Sequence, residues 1–221
     1  MIIQHSDLLT PQQNTVLDLF VSNDFLRENL YFTGGTALSA CYLNHRYSDD
    51  LDFFSSEKLD SFQLNSIVQD WVNKLHITYT SRQVEDTYLY FLKYSNEYEL
   101  KVDFAHYPYP NVEELVDVKG LRINSKKDIA VNKCVTVSQR FDVKDFVDLY
   151  YLLKEYSIYD LHELANKKFN RDYDLMLLAA DLLKIEQFEY LPRMILPLSL
   201  TELREYFVGL AESLGIKATK S

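Results

Sequence analysis

The sequence predicts an α+β fold: a small mixed β-sheet with helices packed on one face, followed by a C-terminal helical bundle region. Three observations carry this. Residues 30–54 read as strand, glycine turn, helix and strand. Residues 77–104 read as three strands joined by tight turns. From residue 126 onward the apolar period becomes helical. We draw the domain boundary after residue 118, giving a core over 1–118 and a helical domain over 119–221.

In order along the chain, Thr10 as N-cap, Pro11 at the first helical position and Gln13 at the third predict a helix over 11–21. A short helix over 24–29 leads into a strand at 30–32. Gly34 and Gly35 then form a turn that opens a helix over 36–43. After a strand at 50–54, Asp60 caps a helix whose Leu64, Ile67, Val68, Trp71 and Leu75 fall at helical spacing. Strands over 77–84, 87–94 and 98–104 are joined by Glu85-Asp86 and Ser95-Asn96-Glu97. Tyr107-Pro108-Tyr109-Pro110 is a crossing loop. Helices follow over 126–139, 143–153, 160–169, 172–186 and 201–214, the last two separated by Pro192 and Pro197.

Composition excludes several classes. No segment approaches the roughly 20 apolar residues of a membrane span, and Met1 to Asp7 has neither the basic nor the apolar region of a signal peptide. Cys41 and Cys134, far apart in sequence, fit reduced core thiols, so we expect a cytoplasmic protein with no membrane partner. A net charge of -10 argues against a general nucleic-acid binder. Locally, Lys119, Arg122, Lys126, Lys127, Lys133, Arg140 and Lys144 gather positive charge, with Lys126 and Lys127 read as a solvated helix face. His5, His45, His76, His106 and His162 form no metal-ligand spacing and receive no role.

Two features carry chemistry. Strand alternation puts Asp50 and Asp52 on one face and Leu51 and Phe53 on the other, with the two aspartate Cα atoms roughly 6.6 Å apart. Just upstream, two of the chain's 5 glycines, Gly34 and Gly35, stand where a strand gives way to a helix, an anion-binding arrangement. Phosphate at the turn and a cation at the aspartates would meet in one site.

Thr33-Gly34-Gly35-Thr36, followed by His45-Arg46-Tyr47-Ser48-Asp49-Asp50-Leu51-Asp52-Phe53-Phe54, resembles the first motif of the AbiEii/AbiGii toxin family within the polymerase-beta-like nucleotidyltransferase superfamily. The resemblance implies a third carboxylate on a later strand. Asp103 supplies it, because Leu100, Val102 and Phe104 alternate against Glu99, Lys101 and Asp103. It also implies nucleotide-binding roles for Gly34, Gly35, Thr36, Arg46 and Ser48, with an ordinary turn as the plain alternative for the last two. Lys133, within Asp128-Ile129-Ala130-Val131-Asn132-Lys133, and Asp145, within the helix from Arg140 to Leu153, match the downstream motifs and are expected to be catalytic. Pairing of Asp145 and Asp148 with Arg140 and Lys144 stands level with that role. Lys133 lies in an apolar stripe, and we expect its removal to spare the fold while weakening nucleotide use.

Three carboxylates within about 5 Å repel by roughly 3 kcal/mol per pair at an effective dielectric near 20, so they call for a cation. All-oxygen ligation favours Mg²⁺, with Mn²⁺ as the substitute. Asp50, Asp52 and Asp103 are therefore the expected metal ligands and, with Lys133 and Asp145, the expected catalytic residues. The resemblance implies transfer of NMP from an NTP, GTP or CTP, to an RNA, tRNA or protein acceptor, in a toxin paired with a cognate antitoxin. Small-molecule nucleotidyl transfer of the aminoglycoside kind and a catalytically silent nucleotide- or partner-binding protein of the same fold are the rivals. A groove lined by Lys126, Lys133 and Arg140 would favour RNA, and an acidic pocket an aminoglycoside.

Overall fold

The computed structural model describes residues 8–95 and 97–218; Met1 to Asp7, including His5, and Asn96 lie outside them. The chain divides into two units, one formed by residues 1–42, 48–110 and 114–125, the other by 43–47, 111–113 and 126–221. The boundary drawn from sequence after residue 118 falls in a hairpin that lies wholly in the first unit.

In the first unit, α1 (Pro11–Val21) begins with the expected capping box between Thr10 and Gln13. Next come α2 (Asp24–Asn29), β1 (Tyr31–Thr33), α3 (Gly34–Leu38), which runs on as a π-helical turn over Ser39–Leu43, and β2 (Leu51–Ser55). Asp60 accepts the backbone N–H groups of Phe62 and Gln63 and starts α4 (Ser61–Leu75), followed by β3 (Thr78–Val84), β4 (Thr87–Lys93) and β5 (Glu99–His106). A hairpin of β6 (Val116–Val118) and β7 (Leu121–Ile123) completes the unit.

Among the described residues these strands form one mixed sheet in the order β3-β4-β5-β2-β1-β7-β6. The β2·β5 and β1·β7 pairs are parallel and the others antiparallel. The register of β2 on β5 sets Phe53 beside Phe104 and Asp52 beside Asp103. The phenylalanine face is sealed by helices: Phe53 stacks on Phe20 of α1 at 4.1 Å and on Phe104 at 5.5 Å, and Trp71 of α4 lies 6.3 Å from Phe104. The aspartates are left on the opposite face.

The β6–β7 hairpin is not legible in the sequence. Strands of three residues are too short to show alternation, and the only local signal is the turn, where Lys119 and Gly120 take φ of 54° and 85°, as a type I′ hairpin requires.

The second unit contains α5 (Lys126–Gln139), α6 (Val143–Leu152), α7 (Ile158–Phe169), α8 (Leu175–Leu182), extended by a 3₁₀ turn over Leu183–Gln187, and α9 (Leu200–Ala218). The segment 43–47 belongs here through its backbone. Arg46 forms a β-bridge with Met194, Tyr47 N–H donates to the Arg193 carbonyl at 2.9 Å, and Ile195 N–H donates to the His45 carbonyl at 2.9 Å. No helix among the described residues is long and apolar enough to cross a membrane.

Candidate functional site

Asp52 and Asp103 face each other on the parallel β2 and β5 pair, and Asp50 immediately precedes β2. Gly34 stands close above Asp52. It has φ of +75°, and a Cβ built on it would lie 2.0 Å from Asp52 Oδ2. The glycine is therefore needed both for its left-handed backbone and to leave room for the carboxylate. Thr36 donates its hydroxyl to the Asp50 carbonyl, which pins the start of β2 to α3. Ser48 contributes its carbonyl, accepting Gln13 Nε2 at 2.9 Å. The structure thus brings Gly34, Thr36, Asp50, Asp52 and Asp103 together, with Gly35 next in α3.

Lys101, given no role from sequence, also belongs to this face. Its ammonium lies 2.5 Å from Asp103 Oδ2 and 3.7 Å from Asp50 Oδ2. The signal was present, because the alternation that sets Asp103 on this face sets Lys101 there two residues earlier. Burial disfavours the ammonium, but the hydrogen bond to Asp103 and the charges of Asp103, Asp50 and Asp52 outweigh it and hold the Lys101 pKa above its usual value. Asp103 is pushed up to about 6, first by burial and then by Asp52, with Lys101 offsetting part of the rise.

These residues fit a divalent cation. Asp103 Oδ1 is buried without a hydrogen-bond partner, the neighbouring donors are carboxylate oxygens, and the face already attracts the Lys101 ammonium. Among the described residues no three His, Cys, Asp or Glu side chains converge as a preformed metal cage. In the arrangement seen, Lys101 carries the compensating charge.

The remaining sequence candidates lie in the second unit, in one buried ionic network. Lys133 meets Asp145 Oδ1 at 2.7 Å and Asp148 Oδ2 at 2.6 Å. Arg46 grips Asp148 in bidentate fashion, Nε to Oδ1 at 2.6 Å and Nη2 to Oδ2 at 2.9 Å, and His45 Nε2 lies 2.7 Å from the same Oδ1. Arg140 Nε meets Asp145 Oδ2 at 2.5 Å. Both carboxylates are fully buried. Burial alone would raise their pKa values. Arg46 and Lys133 hold Asp148 well below the usual carboxylate range, and Lys133 and Arg140 hold Asp145 below it.

Lys133 therefore neither snorkels nor sits idle in an apolar stripe. His45, given no role from sequence, is a partner of Asp148. Arg46 and Asp145 are engaged in joining α5, α6 and the segment 43–47. The three residues whose groove would have favoured RNA are each paired with a carboxylate: Lys126 with Glu155 at 2.5 Å, the buried Lys133 with Asp145 and Asp148, and Arg140 with Asp145.

Two outcomes follow. Lys133→Ala should lower the unfolding free energy measured in urea by about 3–5 kcal/mol, since it leaves two buried carboxylates short of a cation; a loss below about 1 kcal/mol would show the network to be dispensable. In the absence of divalent ions, the folded state keeps a proton on Asp103 that the unfolded chain releases between pH 3.8 and about 6. Stability of the wild type relative to Asp103→Asn should therefore fall as pH rises through that window. A flat difference would show that Asp103 is not perturbed.

Residues 16–212 match the family model for nucleotidyl transferase AbiEii toxin, type IV toxin–antitoxin system. An uncharacterized protein of Aquifex aeolicus is 34% identical over 177 residues, covering 77% of this chain and 78% of that protein. Among solved structures, a candidate nucleotidyltransferase from H. pylori aligns with a TM-score of 0.58 and 20% identity over 96% of this chain and 98% of that one. MenT4, a nucleotidyltransferase toxin from Mycobacterium tuberculosis, aligns with a TM-score of 0.51 and 14% identity over 93% and 85%. These structural likenesses concern the fold, while the family match spans nearly the whole chain, glycine turn and aspartate strands included: the protein belongs to the AbiEii nucleotidyltransferase toxin family.

Proposed function

We propose that the chain transfers NMP from an NTP to an acceptor hydroxyl and releases pyrophosphate, with Mg²⁺ or Mn²⁺ held by Asp50, Asp52 and Asp103. The observation that carries this reading is the parallel register that opposes Asp52 and Asp103, together with the buried, unpartnered Asp103 Oδ1. When bound, the ion supplies charge neutralisation and polarisation of the phosphate oxygens.

The chain's own groups do the rest. Backbone N–H groups at Gly34 and Gly35 bind phosphate oxygens on a turn that only glycine can form beside Asp52. The acceptor hydroxyl attacks the α-phosphorus, the new O–P bond forms as the bond to the β-phosphate oxygen breaks, and the hydroxyl proton passes to Asp103. The buried Lys133–Asp145–Asp148 network supports the fold of its unit, and we assign it no direct contact with substrate.

By the family's character the nucleotide is GTP or CTP, the acceptor is RNA, tRNA or protein, and a cognate antitoxin is the partner. A second reading, a small cationic acceptor of the aminoglycoside kind, is supported by one observation: Lys126, Lys133 and Arg140 are each paired with the protein's own carboxylates.

The test is incubation with each α-labelled NTP, Mg²⁺ and either total RNA or an aminoglycoside panel. Label should pass to acceptor in the wild type and fall by about 10²-fold or more in Asp52→Asn and Asp103→Asn, with circular dichroism unchanged. Transfer that survives both substitutions would contradict the site.

A further inference from the structure

The acidic face does not account for the far edge of the same sheet. Among the described residues β3 pairs only with β4, and it ends the strand order. It is seven residues long, contains no proline, and is exposed at every position except the half-buried Tyr79. Proteins ordinarily blunt such an edge with proline, a bulge, a short strand or inward charges. Apart from Arg82, whose guanidinium lies over the Phe91 ring at 5.5 Å, β3 carries no charge.

The hairpin fixes which backbone groups face outward. A two-residue loop, Glu85-Asp86, with Val84 opposite Thr87, makes that flanking pair the hydrogen-bonded one. Alternation then turns the N–H and C=O groups of Arg82 and Thr80 toward β4, and those of Gln83, Ser81 and Tyr79 toward the open edge. A strand added antiparallel must pair with these three.

The edge is complementary to itself. Lys74 and His76 are exposed just before β3, and Glu85 and Asp86 are exposed just after it. Asp86 also meets His106 at 3.5 Å but keeps 67% of its side-chain surface in solvent. Antiparallel pairing about a two-fold axis at Ser81 sets the basic start of each strand beside the acidic end of the other. The facing pairs are then Ser81 with Ser81, and Tyr79 with Gln83, each exchanging two backbone hydrogen bonds. These are the three residues whose groups are turned outward, and no like charges oppose each other.

The same operation keeps both α4 helices on one side of the merged sheet. There Phe62, with 83% of its surface exposed, and Asn65, Ser66, Gln69 and Asp70 line a groove of about 340 Å³ along the β3 edge, with Tyr79 on its wall. We propose that two copies of the chain associate through antiparallel pairing of β3 centred on Ser81, forming a continuous sheet and covering the Phe62 groove.

The test uses light scattering or sedimentation of the full chain at micromolar concentration, with Ser81→Lys and Ser81→Glu. Ser81 is exposed, so neither substitution should change the fold, read as an unchanged circular dichroism spectrum. The wild type should be a dimer. Each variant alone should be a monomer, because like charges would meet at the two-fold axis, and an equal mixture of the two should recover the dimer. A monomeric wild type, a dimer indifferent to both substitutions, or a mixture that stays monomeric would each overturn the proposal. The first of these would leave the edge to a strand from some other chain.

Discussion

Asp52 and Asp103 are held opposite each other on adjacent parallel strands, and neither can turn away, because the reverse face of the same strands is filled by Phe53 and Phe104 packed against α1 and α4. Strand spacing keeps such pairs about 5 Å apart. At that distance two carboxylates repel by roughly 3 kcal/mol at an effective dielectric near 20. The local sequence answers this constraint. Lys101 bridges Asp103 and Asp50. Gly34 yields space to the Asp52 carboxylate, and Thr36 anchors the Asp50 backbone. An aromatic core on one face makes an electrostatically strained pair tolerable on the other, and the strain makes the face a receptor for positive charge.

The helical unit meets the same problem with covalently attached cations. Asp145 and Asp148 are fully buried, a costly position for a carboxylate without partners, and Lys133, Arg46, Arg140 and His45 satisfy them. Through Arg46 and His45 the segment 43–47, which separates the glycine turn from the aspartate strand in sequence, becomes an integral part of this unit. The two acidic groups thus differ in kind. One is closed by side chains that hold it ionised, while the other retains a buried oxygen without a hydrogen-bond partner and a pKa displaced upward.

Period and capping made most of the fold legible. Thr10 and Asp60 cap helices at the expected places, and alternation in 50–54 and 98–104 set the aspartates on one face. What stayed hidden depends on contacts distant in sequence. The β6–β7 hairpin is too short to have a period, and β7 is held by its parallel pairing with β1. His45, Arg46 and Lys133 have no local signature for converging on Asp148, since 102 residues separate Arg46 from its partner. Lys101 could have been found, because it obeys the alternation that located Asp103, but a search for carboxylates passes over the lysine between them.

The central claim is that the face bearing Asp52 and Asp103 is a cation site. Thermal unfolding of wild type and Asp103→Asn, each with and without Mn²⁺, tests it most directly, since an ion that binds only the folded state raises the melting temperature by mass action. The account predicts a rise in the wild type that is absent in Asp103→Asn. Equal shifts in the two proteins, or none in either, would contradict it.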